Sequence, residues 1–360
     1  MNNRLFDHLF GALLPFIAVA AALVIGAIML ILLGANPIEG YAALLKGAFG
    51  NKNALADTIV KATPLLLVGL GICISFRGGV LNIGGEGQMI LGALSATAFG
   101  LSFPQAPGWM IIPSALIVGT LGGAVWGAIP GYLKARFNVN EILSTIMMNV
   151  IAVQLMNLLL RGLLIDNNQL NAAKIPQTAR LARSFDLPRL VPTRLHLGAA
   201  IAVGLAVLVY ILLWRTSLGY RIRAVGLNPS ASRYAGIPIN RTIVISLMLS
   251  GSLCGLAGAT QVYGLNHRMV TDGTAAGFTG SAGFNGIVTA LFGQLHPIGT
   301  IPASFFFGAL LVGANKMQRV TQVPAALITT LNGLIVVFVV SSEIWRRRRT
   351  RRRAISDVTG

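Results

Sequence analysis

The sequence predicts an all-α, polytopic membrane protein of about ten transmembrane helices, and three observations carry that prediction. Only 11% of the 360 residues are charged and 54% are hydrophobic, against roughly 25% charged in an ordinary soluble domain. A soluble chain of this length needs far more charge to cover its surface. The mean hydropathy is +0.74, so lipid is the expected solvent. Long charge-free stretches also follow one another along the chain, most of them near the roughly 20 apolar residues a crossing requires.

Those stretches are Leu9–Gly34, Ala62–Phe76, Gly87–Leu133, Ile142–Leu160, Leu195–Trp214, Thr242–Asn266, Gly273–Asn315 and Val320–Ser342. Two are long enough for two helices each. Pro104 and Pro107 break the first of these within Gly100–Gly108, and His296-Pro297 breaks the second near Gln294–Gly299. Ten helices result. The second is expected to be marginal, because Lys61 falls in its first turn and must snorkel or pair. The first stretch is about twice the length of a signal-peptide apolar region and reads as a spanning helix.

An even number of crossings puts both termini on one side. Arg346–Arg349 and Arg351–Arg353 follow the last apolar stretch and place that side in the cytoplasm. The expected organisation is a single transmembrane domain over residues 1–345 and a basic cytoplasmic tail over 346–360. Loops 134–140 and 215–241 are then cytoplasmic, and loop 161–194, with its six basic residues, is external. The net charge of +18 is concentrated in such flanking segments, which makes it a topology signal and argues against nucleic-acid binding. Cys73 and Cys254 lie in apolar runs without metal-ligand spacing and read as small buried hydrophobes.

Glycines recur four apart at Gly119, Gly123, Gly127 and Gly131, and again at Gly251 and Gly255. That spacing lines one helix face and lets backbones approach closely in lipid. No nucleotide-binding phosphate loop is present, since none of the six lysines follows a glycine. His8, His196, His267 and His296 fall far apart near predicted helix ends, where interfacial positions are expected. No residues assemble into a catalytic or metal-binding pattern, so the chain is expected to be no enzyme and to need no cofactor.

Three polar segments stand out. In LGYRIRAVGLNPSASRYAGIP, Asn228 is a good N-cap, Pro229 suits the first helical position, Ser230–Ala235 can form two turns, and Gly236 with Pro238 ends them. This describes a short rigid helix, either an ordinary amphipathic loop helix or one that docks a moving partner. In FRGGVLNIGGEGQ, Asn82, Glu86 and Gln88 sit among five glycines. Glu86 lies either at the cytoplasmic boundary or in a broken helix lining a pathway, where a carboxylate costs about 3 kcal/mol unless paired or solvated. In NEILSTIMMN, Glu141, Thr145 and Asn149 share one helical face and serve either a pore or an interhelical hydrogen-bond network.

Together these three segments resemble the signature stretches of bacterial ABC importer permeases of the branched-chain amino acid, sugar and nucleoside family. The similarity is strongest to the nucleoside and simple-sugar branch, and Ile175–His196 and the overall length resemble that branch too. It covers essentially the whole chain. The resemblance implies a type II importer permease in the bacterial inner membrane, paired with a second, often paralogous permease over two cytosolic ABC ATPases. An extracytoplasmic solute-binding protein would deliver a small neutral solute, nucleosides before simple sugars. It further implies that Asn228, Pro229, Ser230, Ala231, Arg233, Tyr234 and Gly236 form the ATPase-coupling helix. Asn82, Glu86, Gln88, Glu141, Thr145 and Asn149 would border the translocation path. One departure is that Ser230-Ala231-Ser232 stands where relatives often carry Glu-Ala-Ala, so an acidic contact is missing. The alternative from another class, an ion-coupled secondary transporter, would require intramembrane acids, and only Glu86, Glu141 and Asp272 are candidates.

Overall fold

The structure, a computed structural model, describes residues 20–166 and 176–324, together with 330, 333, 334, 337 and 338. The described residues are almost wholly helical; the extended pairing among them amounts to two isolated bridges, Gln177 with Val270 and Arg189 with His196. Among the described residues, six helices are long and apolar enough to cross a membrane, and two shorter apolar ones accompany them. The chain divides into two compact units, Met1–Thr58 with Gly308–Gly360, and Ile59–Phe307.

In the first unit, α1 (Ala20–Leu32) is followed by α2 (Pro37–Phe49). Asn36 caps α2 by accepting the Ile38 N–H, with Pro37 at the first helical position. The charge-free segmentation misses α2, because Glu39 and Lys46 interrupt its apolar pattern. Gly47 of α2 faces Gly313; a Cβ there would stand 2.7 Å from the Lys316 Cβ. The predicted last span, Val320–Ser342, and the basic tail fall largely or wholly outside the described residues.

The second unit begins within α3 (Lys52–Arg77), which is ten residues longer at its start than the charge-free stretch predicts. Lys61 is solvent- or lipid-facing and does not interrupt the helix, so this span is full-length and not marginal. Next come α4 (Gly85–Ser102), α5 (Gly108–Phe137) and α6 (Glu141–Arg161), with the α4–α5 break at the predicted prolines. Residues 176–197, which hold a 3-10 turn at Arg183–Phe185, lead to α7 (Gly198–Arg215). The loop 215–241 contains two helices, α8 (Ser217–Leu227) and α9 (Pro229–Tyr234). Then α10 (Ile239–Gln261) ends in a π turn over Val262–Asn266.

The stretch after Gly273 departs from expectation. One crossing was predicted there, but left-handed backbone at Gly280 and Ser281 splits it into α11 (Ala275–Thr279) and α12 (Ala282–Phe292). The predicted break at His296-Pro297 is present, and α13 (Pro297–Thr321) starts there.

The centre of this unit is α4, α5 and α10, joined through the glycines that the fourfold spacing singled out. A Cβ on Gly123 would lie 2.3 Å from the Gly251 oxygen, and one on Gly255 would lie 2.4 Å from the Gly119 oxygen. Backbone thus rests on backbone, which is how helices gain dispersion energy where lipid removes the hydrophobic drive. Cys73 and Cys254 are free and buried, as expected of small hydrophobes.

Candidate functional site

The segment between α3 and α4 is re-entrant. α3 ends in a Schellman motif: Gly79 N–H donates to Phe76 O and Val80 N–H to Ser75 O, both at 3.1 Å, with Gly79 at φ +73°. The chain then folds back along α3, and Asn82 donates to Ser250 Oγ at 2.8 Å, halfway along α10. α4 therefore starts inside the bundle. Irregular backbone at such depth survives in lipid only when protein satisfies its polar groups.

The predicted polar residues do this. Asn149 Oδ1 accepts the Gly87 N–H at 2.8 Å, and its Nδ2 donates to Ile83 O at 2.9 Å. Asn82 donates to Gln88 Oε1 at 2.9 Å, and its own Oδ1 accepts the Gly84 N–H at 2.9 Å. Thr145 Oγ1 faces the Ile83 N–H at 3.4 Å and donates to Glu141 O at 2.6 Å. Asn82, Gln88, Thr145 and Asn149 are all buried. The polar stripe of α6 and the glycine-rich segment thus form one hydrogen-bonded cluster.

Glu86 adjoins this cluster but turns to another partner. Its Oε1 accepts the Phe284 N–H at 3.3 Å in the first turn of α12. Ser281, which precedes α12, makes no side-chain cap, so a carboxylate nearly 200 positions away performs that role. Gly283 permits the approach, since a Cβ there would lie 2.4 Å from the Glu86 nitrogen. Glu86 is 1% exposed, and its Oε2 has no hydrogen-bond partner among the described residues. The Thr279 side chain lies beside the carboxyl, yet its hydroxyl donates to Ala275 O at 2.9 Å. Glu141 stands apart from these groups, in an ion pair with Lys134 at 3.0 Å.

The second candidate element is α9. Asn228 Oδ1 accepts the Ala231 N–H at 3.0 Å, and Pro229 opens the helix. Its end is a full Schellman motif, with Gly236 N–H donating to Arg233 O and Ile237 N–H to Ser232 O. Ser230, Ala231, Arg233 and Tyr234 are exposed, Tyr234 to 95%. Leu227, just before the cap, is 87% exposed. A stiff, uncovered, acid-free element projects here.

At the end of the bundle formed by loop 176–197, His196 is buried, contrary to an interfacial position. Its Nδ1 accepts the Gly198 N–H at 3.2 Å. Burial, with the neighbouring His267, lowers its pKa to about 4, so the ring is neutral at pH 7. His267 Nδ1 lies 2.7 Å from Asp186 Oδ1. Sequence spacing separates these residues; the backbone bonds of Leu181 to His267 and of Leu187 to Tyr263 bring them together.

Sequence reading missed Ser250, which completes the Asn82 contact. Its signal was available, because Thr242, Ser246 and Ser250 recur four apart and all are buried on one face of α10. It also missed the Phe284 N–H, since backbone donors leave no mark in a side-chain pattern.

No solved structure matches this chain. It is 37% identical over 330 residues to a guanosine ABC transporter permease protein, NupP, of Bacillus subtilis (strain 168), covering 92% of this chain and 93% of the relative. It is 32% identical to a nucleoside ABC transporter permease protein, NupB, of Lactococcus lactis subsp. cremoris, covering 94% and 92% respectively. A glucose ABC transporter permease protein, TsgB13, of Haloferax volcanii is 31% identical over 93% of this chain and 88% of the relative. Residues 54–340 match the family described as branched-chain amino acid transport system, permease component. The chain is a multi-pass membrane protein that belongs to this permease family.

Proposed function

We propose that the chain is the membrane-spanning subunit of an ABC importer that translocates nucleosides by alternating access. Cytosolic ABC ATPases would supply the energy, a second permease would complete the pathway, and an extracytoplasmic binding protein would deliver the solute. In this reading it lies in the bacterial inner membrane with both termini cytoplasmic. The nucleoside assignment is supported by the guanosine and nucleoside relatives, each similar over more than nine-tenths of both chains.

The observation that carries the mechanism is α9, a helix capped at both ends whose Arg233 and Tyr234 are exposed. ATPase closure would move it as a rigid lever and rock the bundle to which it is joined. Asn228, Pro229, Ser230, Ala231 and Gly236 would fix its shape and seat it in the ATPase. Asn82, Gln88, Thr145 and Asn149 would brace the re-entrant wall of the path, with Glu86 holding α12 against it and Glu141 steadying its base. A neutral, hydroxyl-rich solute suits such a weakly polar route, and tight binding would be left to the delivery protein.

The test is uptake into proteoliposomes holding the whole complex. Radiolabelled guanosine should accumulate only with ATP inside, and Arg233→Ala with Tyr234→Ala should abolish ATPase co-purification. Uptake driven by a proton gradient without ATP would exclude the importer reading, and unchanged co-purification would exclude the docking role of α9. The glucose relative supports a simple-sugar reading; excess glucose displacing guanosine from uptake would favour it.

A further inference from the structure

Between the projecting helix and the re-entrant segment lies a compact joint that none of the assigned residues accounts for. Two guanidinium groups lie over the ring of Trp214, at the end of α7. Arg77 lies 5.3 Å and Arg223 5.6 Å from its ring centre. The His296 ring is 5.0 Å from it and Tyr210 stacks on it at 5.4 Å. Each partner belongs to a different element: Arg77 ends α3, Arg223 lies in α8, and His296 precedes α13. Arg77 also donates from Nε to Leu295 O at 3.1 Å, fixing the left-handed turn after α12. The Arg223 Nε is buried without a hydrogen-bond partner among the described residues, so the aromatic face is the contact that accounts for its position. His296 has its pKa lowered by burial and by Arg77, which keeps the ring neutral beside two cations.

A second contact lies beside the first. Gly226, two residues before the cap of α9, meets the end of α3 so closely that a Cβ would stand 2.0 Å from Arg77 O and 2.7 Å from Gly79 N. Gly79 begins the re-entrant segment, and Asn82 follows three residues later. At the other end of α8, Thr216 accepts the Gly219 N–H at 3.1 Å and donates to Leu212 O at 2.7 Å. α8 is therefore held at both ends, and the chain passes from it directly into α9.

We infer that Trp214, with Arg77 and Arg223 over its ring, and the contact of Gly226 with Arg77 and Gly79 form the joint through which motion of α9 reaches the re-entrant segment. These are positioning residues: none needs to touch solute or nucleotide. The inference rests on the docking reading of α9. The chain of contacts runs α9, Gly226, Gly79, Asn82 and then Ser250 of α10, with no gap to bridge. Such a joint transmits force only while its members stay registered, and the cation–aromatic grip supplies that registration at little cost in hydrogen bonds.

The experiment compares uptake with ATP hydrolysis in the reconstituted complex. Trp214→Ala should leave the ATPase bound and hydrolysing, while solute moved per ATP falls about tenfold, a typical coupling loss. Trp214→Phe, which keeps an aromatic ring for the cations, should recover part of the ratio. Gly226→Ala should uncouple as well, by forcing α8 away from Arg77. An unchanged ratio in Trp214→Ala overturns the joint. Should that variant fail to accumulate, Arg223→Gln removes one cation from the ring without opening a cavity, and an unchanged ratio there overturns it equally. The two readings fail differently: a wrong docking assignment leaves ATPase bound to the Arg233→Ala, Tyr234→Ala chain, whereas a wrong joint leaves Trp214→Ala coupled.

Discussion

The carboxylate of Glu86 accepts the backbone N–H of Phe284, tying the start of α4 to the start of α12. Both helices begin inside the bundle, where a helix N-terminus presents unpaired donors and partial positive charge. Broken helices in transporters commonly aim such ends at a ligand. Here the protein supplies its own acceptor, and two helix breaks become one latch.

Glu86→Gln keeps an acceptor for Phe284 but replaces the carboxyl group with an amide. The folded bundle should survive and nucleoside uptake should fall. Glu86→Ala removes the cap as well and should destabilise the chain by about 1 kcal/mol. Thermal unfolding of the purified complex beside uptake assays distinguishes the two; wild-type uptake by the Gln variant would remove the role.

Asn149 serves two backbone groups at once, Gly87 N–H and Ile83 O. Asn149→Ala leaves both buried and unsatisfied, at about 1–3 kcal/mol each. Loss of protection at the Gly87 amide in hydrogen exchange, larger than at α5 amides, is the expected signature.

Two glycine replacements should differ sharply. Gly123→Ala drives a methyl group to 2.3 Å from Gly251 O and should destabilise by about 1–3 kcal/mol or more. Gly204→Ala meets nothing within 4 Å and should be neutral, or stabilising by about 0.5–1 kcal/mol through helix propensity. Unfolding midpoints in mild detergent compare them directly.

The His196 ring is neutral in the folded protein at pH 7, with its pKa lowered to about 4 from 6.5. A lowered histidine pKa means that the unfolded segment binds the proton more readily. The stabilisation is thus complete above about pH 6.5 and declines as pH falls towards 4. Protonation would also replace the acceptor of the Gly198 N–H with a donor. Corrected for intrinsic rates, exchange at the Leu187 and Leu197 amides should speed up on acidification, and His196→Gln should flatten that dependence.

The features visible in the sequence were those with a period or a cap. Fourfold glycine spacing located the α5–α10 contact, Asn228-Pro229 with Gly236 located α9, and the Glu141–Thr145–Asn149 stripe located the polar face of α6. What escaped depended on tertiary neighbours. Lys61 sits in mid-helix because its head can face outward, so charge counting shortened α3. The break at Gly280-Ser281 needed Glu86 from elsewhere to cap the following helix. Trp214 reads as an ordinary aromatic at a helix end until Arg77 and Arg223 are seen over its ring.

The glycine seams joining α4, α5 and α10 have a practical consequence. Backbones in direct contact leave no side-chain layer to shear, so these three helices have no neighbouring register into which to slip. Two spectroscopic labels placed within them should report one constant separation throughout turnover. A distance that tracks the cycle requires a reporter beyond that block, and the exposed Tyr234 of α9 offers one.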